Sequence, residues 1–201
     1  MKAIKSFTDN LVILFFLFIN TSLNANDSKY INVLGDPEAP NTLVEYASLS
    51  CIHCANFHNE KLPKIKKELI DSGKLKYIYK DFPLDLPAML ASMICHCYEK
   101  EKYFTILDSL YRNQRKWVTA SENKEKLLES FQMILKEHGI TLKKIKECTA
   151  DTDENKTKWE SILSVRLEGQ NIGVNSTPSF FLNDKKLDGN IDVDSIKKLI
   201  Y

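Results

Sequence analysis

The sequence predicts an α/β domain with a block of helices inserted in its middle. Three observations carry that reading. A β-favouring run passes directly into a long helical pattern and then a second β run; a helical stretch follows; the chain then turns β twice more before a closing helix.

The first strand is Asn41 to Ala47, entered from the turn-like Gly35-Asp36-Pro37-Glu38-Ala39-Pro40. From Ile52 to about Leu69 the period becomes helical, with Phe57, Leu62, Ile65 and Leu69 near one face and Pro63 as a kink. Leu75 to Tyr79 alternates as a second strand, closed by Asp81-Phe82-Pro83. A helical region runs from Pro87 through Tyr103 and Glu125 to Glu137, and an amphipathic helix is expected between Asp153 and Gln170. Beyond Gly173 come Ser179 to Leu182, an Asn183-Asp184 turn, Lys185 to Leu187, and a helix near Val193 to Ile200. Phe180, Phe181, Tyr103, Phe104 and Trp117 are expected in the core.

The N-terminus has the pattern of a secretory signal: Lys2 and Lys5, the uncharged run Leu11 to Ile19, then polar residues ending at Ala25. The apolar run is about ten residues, against the ~20 a membrane-spanning helix needs, so cleavage near Ala25 is expected over retention as an anchor. Residues 26–201 then form one domain of roughly 175 residues, long enough for a real core, with the helical insertion at about 85–155. Without residues 1–25 the 28 basic and 27 acidic side chains lose two and one, leaving no net formal charge. That balance argues against nucleic acid as a partner. The lysines Lys64, Lys66, Lys67, Lys143, Lys144 and Lys146 interleave with apolar residues as solvated helix faces do.

A core of that size does not need its five cysteines for stability. Cys51-Ile52-His53-Cys54 stands where the first strand ends and the first helix begins. A cysteine there faces unpaired backbone N–H groups and the positive end of the helix dipole, which favour thiolate over thiol. Cys51 is therefore read as the nucleophile, Cys54 one turn later as the resolving thiol, and His53 as a further donor lowering the Cys51 pKa. A metal site is the competing reading, with Cys51, Cys54 and His58 as ligands and His96, Cys95 and Cys97 as further candidates; a structural bridge is the third. Structural zinc sites usually place their paired cysteines in a tight turn, not at the head of a long helix, so no metal is expected.

With these residues goes a wider resemblance. Val44-Glu45-Tyr46-Ala47-Ser48-Leu49-Ser50 before the cysteines, Asp81-Phe82-Pro83-Leu84, and Gly173-Val174-Asn175-Ser176-Thr177-Pro178-Ser179-Phe180-Phe181 resemble, in order, the DsbA family of exported thiol:disulfide oxidoreductases. The resemblance implies a thioredoxin fold with an inserted helical domain. It also implies that Thr177-Pro178 is a cis-proline loop against the redox-active disulfide, where a substrate strand docks. Glu45 matches the family's buried acid, a proton relay to Cys54; its lysine partner is not singled out, Lys76 and Lys80 both being open. Best-known members carry Pro-His between the cysteines, and Ile-His here is expected to make a somewhat weaker oxidant.

Cys97 and Cys148, both in the helical block, resemble an extra disulfide of some members; closing ~50 residues, it would add roughly 4 kcal/mol. Cys95 is left as a buried free thiol. The expected function is a periplasmic dithiol oxidase of exported polypeptides with free cysteines. It would be monomeric and without cofactor, reoxidised by a membrane quinone-linked, DsbB-like protein. A reductase or isomerase is the alternative, although about ten residues between Asn26 and the first strand are too few for an isomerase's dimerisation domain; a metal-binding module is the rival from another class.

Overall fold

The structure is a computed structural model and describes residues 32–200. The signal segment expected at 1–25 lies outside them. Among the described residues no helix is long and apolar enough to cross a membrane.

Five strands form one mixed sheet in the order β1-β3-β2-β4-β5. Strand β2 (Asn41–Ala47) lies parallel to β3 (Leu75–Asp81), with Val44 opposite Ile78. Strand β4 (Ser179–Leu182) runs antiparallel to β2 and β5 (Lys185–Leu187) antiparallel to β4. The β4–β5 turn places Asn183 and Asp184 at φ 48° and 66°, the left-handed pair a two-residue hairpin requires. Strand β3 extends two residues past the expected Tyr79. It alternates strictly, with Leu75, Tyr77, Tyr79 and Asp81 buried. A strand absent from the sequence reading, β1 (Asn32–Leu34), pairs antiparallel with β3 at the sheet edge.

Between β2 and β3 the chain is helical throughout, as α1 (Ile52–Asn56), a π-helical segment (Phe57–Lys61), α2 (Leu62–Ile65) and a second π-helical segment (Lys66–Ile70). The expected kink at Pro63 takes the form of a widened turn, with Leu62 N–H bonded to Phe57 O. Pro63 then falls in the first turn of α2, where its missing N–H leaves no donor unused.

The inserted helices are α3 (Leu86–Cys95), α4 (Lys100–Arg112), α5 (Gln114–Val118), α6 (Lys124–Leu135) and α7 (Leu142–Cys148). Side chains of Asp85, Asn123 and Thr141 cap α3, α6 and α7. Helix α8 (Asp153–Asn171) returns to the sheet and α9 (Val193–Ile200) closes the chain. Helix α8 buries one face, at Asn155, Lys158, Ile162 and Gly169, but that face is not an apolar stripe, and Leu163 and Leu167 are 40% and 56% exposed. One end of α8 packs on the insertion, where Asn155 donates to Glu147 O and Ala150 O. The other packs on the sheet, where Gly169 lies so close to Tyr46 that a Cβ would stand 2.8 Å from its ring.

The alternation of β2 sends Leu43, Glu45 and Ala47 to one face and Val44 and Tyr46 to the other. The first face packs under the helices in the main core, which holds Trp117, Tyr103 and Phe180. On the second, Tyr46, Phe82, Val174 and Phe181 form a smaller cluster. Phe104, expected in the core, is half-buried against its edge. The lysines read as solvated faces are all exposed.

Candidate active site

Cys51 is the N-cap of α1, in extended conformation, so its sulfur sits over the first turn with free N–H groups around it. Its thiol donates to Thr177 O at 3.3 Å, and the Thr177–Pro178 bond is cis. The Cys51 pKa is pulled from 9.0 to about 5: the Cys54 side chain donates to it, outweighing burial, and the Thr177 side chain and the backbone N–H groups of Cys54 and His53 add to the effect. His53 contributes its backbone N–H, while its side chain is exposed on the wall of a 650 Å³ groove shared with Ser176 and Pro178.

Cys54 has no exposed surface. Burial, the bond to Cys51 and the charges of Glu45 and Cys51 all push its pKa well above that of an ordinary thiol. Two sulfurs one turn apart are thus driven in opposite directions, one toward thiolate and one toward thiol.

Beneath Cys54 lies Glu45, fully buried. The lysine partner left open in the sequence is neither Lys76, which donates to Pro37 O, nor Lys80, which pairs with Glu168 at 2.6 Å. Instead Tyr77 Oη donates to Glu45 Oε2, and His58 Nε2 lies 3.1 Å from the same oxygen. His58 stacks on Tyr111 with ring centroids 4.1 Å apart. Its bond to Glu45 occupies one of its two ring nitrogens. Among the described residues no cluster of three His, Cys, Asp or Glu side chains is placed to hold a metal ion.

Sequence reasoning missed two residues of the insertion that hold the cysteine loop. Gln114 Nε2 donates to Leu49 O at 2.7 Å and to Cys51 O at 2.9 Å, and Tyr111 Oη donates to Ser48 O at 3.2 Å. Their separation from the loop, 63 residues in each of the Cys51 and Ser48 contacts, leaves no local pattern to read. Cys97 and Cys148 form a disulfide with Cα atoms 5.8 Å apart, while Cys95 is a buried free thiol. Near Cys95 a second buried acid, Asp81, is bonded to His96 at 2.7 Å.

A thioredoxin family model matches residues 27–201. Among solved structures, Wolbachia pipientis α-DsbA1 is similar with a TM-score of 0.72 and 31% identity, covering 85% of this chain and 88% of that one. Bacillus subtilis BdbD shares the fold, with a TM-score of 0.71 and 23% identity over 86% of this chain and 91% of that one. A Rickettsia bellii relative named as a protein-disulfide oxidoreductase is 28% identical over 169 residues, 84% of this chain and 62% of its own length. The Bacillus subtilis disulfide bond formation protein D is 26% identical over 177 residues, 84% of this chain and 74% of its own. The chain thus spans about three fifths of the length of the Rickettsia relatives it matches.

Proposed function

We propose, on the premise that the chain belongs to the DsbA family of thioredoxin-fold proteins, that it is a protein thiol:disulfide oxidoreductase that introduces disulfides into other polypeptides. The observation that carries the reading is the opposed tuning of the two thiols, Cys51 down to about 5 and Cys54 well up. A substrate thiolate attacks Cys51 Sγ of the oxidised pair. The S–S bond breaks, its electron pair stays on Cys54, and Cys54 takes up a proton. A second substrate thiolate then attacks the substrate sulfur of the mixed disulfide and releases Cys51, which leaves as a thiolate at neutral pH without needing a proton. The substrate is oxidised by two electrons and the Cys51/Cys54 pair reduced by two.

Thr177 and Pro178, beside Cys51, are the proposed docking edge for the substrate strand, and the groove walled by His53, Asn56, Ser176 and Pro178 accepts its flanking residues. Glu45 is the proposed proton carrier for Cys54. Cys97 and Cys148 brace the insertion, proposed at about 85–155 of a domain covering 26–201. The basic start and short apolar run ending near Ala25 support export to the periplasm, with a membrane quinone-linked protein as reoxidant and a monomer as the working form.

Substitution of the resolving thiol tests the reading. Cys54→Ala accumulates mixed disulfides with other proteins through Cys51, whereas Cys51→Ala traps none and loses oxidase activity. Trapping by Cys51→Ala but not by Cys54→Ala would invert the assigned roles, and trapping by neither would end the oxidoreductase reading.

A further inference from the structure

A thiol as deeply buried as Cys54 poses a transport problem, because each half-cycle of disulfide exchange delivers a proton to it or takes one away. The two nitrogens of His58 point to a route. Nε2 is 3.1 Å from Glu45 Oε2, while Nδ1, with no hydrogen-bond partner, lies 3.9 Å from Asp108 Oδ1. The His58 side chain is 1% exposed and that of Asp108 46%. Both line a surface cavity of about 470 Å³, with Leu34, Leu62 and Phe104 in its wall. On Glu45 both partners engage Oε2, and Oε1 is buried without a partner.

We propose that His58 and Asp108 form the proton exit of the active site, passing protons between Cys54 and solvent by way of Glu45 and the cavity at Asp108. This deepens the oxidoreductase reading and rests on it. In this relay Glu45 enters the step as the protonated carboxyl: when the Cys51–Cys54 bond breaks, Oε1 gives its proton to the Cys54 sulfur, Oε2 receives one from His58 Nε2, and Nδ1 is resupplied from solvent at Asp108. Reoxidation runs the same transfers in reverse. Glu45 and His58 end with the charges they began with and Cys54 ends as a neutral thiol, so no ion is stranded in the core. The 3.9 Å between Nδ1 and Asp108 is too long for a hydrogen bond, and a small swing of the exposed Asp108 side chain closes it.

The other titratable groups facing His58 leave these three as the working members. Tyr77 and Tyr79 on β3 and Tyr111 on α4 have their pKa values pushed far up by burial, so they stay protonated across the physiological range. Lys66, Lys100 and Glu101 stand around the cavity. Burial of His58 opposes its protonation, but the charge of Glu45 and the Asp108 side chain outweigh it and raise its pKa.

The test follows the single-turnover oxidation of a dithiol peptide by the disulfide form of the protein, from about pH 5 to 8, where imidazoles titrate. His58→Gln is expected to slow the release of Cys54 by at least about tenfold. Asp108→Asn, an exposed change that spares the fold, slows it several-fold, and added imidazole or formate, small enough to enter the cavity, restores most of the rate. In both variants the ultraviolet titration of the Cys51 thiolate stays as in the parent. Rates within about twofold of the parent across the pH range in both variants would overturn the proposal. So would slowing that no buffer relieves and that leaves the pH profile unchanged. Should His58→Gln not fold, Asp108→Asn decides by the same criteria. A parent protein that fails to oxidise the peptide at all would instead overturn the oxidoreductase reading, and this inference with it.

Discussion

Cys51 and Cys54 have the same side chain and opposite chemistry because one receives hydrogen bonds and the other is sealed from water. The largest influence on Cys51 is the Cys54 thiol, with the His53 contribution coming from the main chain. Alkylation of the reduced protein should therefore be half-maximal at Cys51 near pH 5, with Cys54 and Cys95 silent through neutral pH, as peptide mapping by mass spectrometry would show. Cys54→Ala should move that midpoint upward, and by more than His53→Ala, which keeps both backbone donors. A larger shift from His53→Ala would mean that the imidazole, not the second thiol, sets the nucleophile. The cysteine pair and Thr177-Pro178 were legible as letters, and the alternation of β2 allowed Glu45 an inward position. Its partners were not legible: Tyr77 comes from β3 and His58 from the π-helical segment after α1, and only the packing of helix on sheet brings them to one oxygen.

At the scale of elements, the cysteine loop is held from outside its own β–α unit. Gln114 on α5 is 4% exposed and satisfies two carbonyls of the loop, those of Leu49 and Cys51. Replacing it by Leu keeps the volume and strands the Leu49 carbonyl, while that of Cys51 keeps the Ala55 N–H, so urea denaturation should show a loss of about 1 to 3 kcal/mol. A change near zero would mean that solvent reaches the loop freely. The strands β2, β4 and β5 and helix α9 could be read in advance because each carries its own signal, either alternation, a left-handed turn pair or helical period. Strand β1 could not, since three residues at a sheet edge show no period, and α8 misled because the face it buries carries Asn155, Lys158 and Gly169 beside Ile162.

For the whole molecule, the tuning of Cys51 is a statement about folding. Its thiol titrates near 5 in the fold and from an ordinary 9.0 without it, so the reduced fold gains stability as pH rises between those values. The gain is complete above the upper value and is lost as pH falls through the lower one. The disulfide form has no such thiolate. At neutral pH the oxidised protein should therefore unfold at lower denaturant than the reduced one, contrary to the usual effect of a disulfide, and the difference should vanish as pH drops below about 5. The comparison belongs in a Cys97→Ala/Cys148→Ala variant, where the reductant has no other bridge to open; an oxidised form more stable by several kcal/mol would favour a reductase. The bridge removed there has its own meaning in the native chain. Cys97 and Cys148 lie 51 residues apart and are joined in the finished protein, yet they leave the ribosome as two thiols. Under the proposed function a nascent copy would belong to its own substrate class, to be finished by copies made before it, and the supply of working enzyme would be self-seeding.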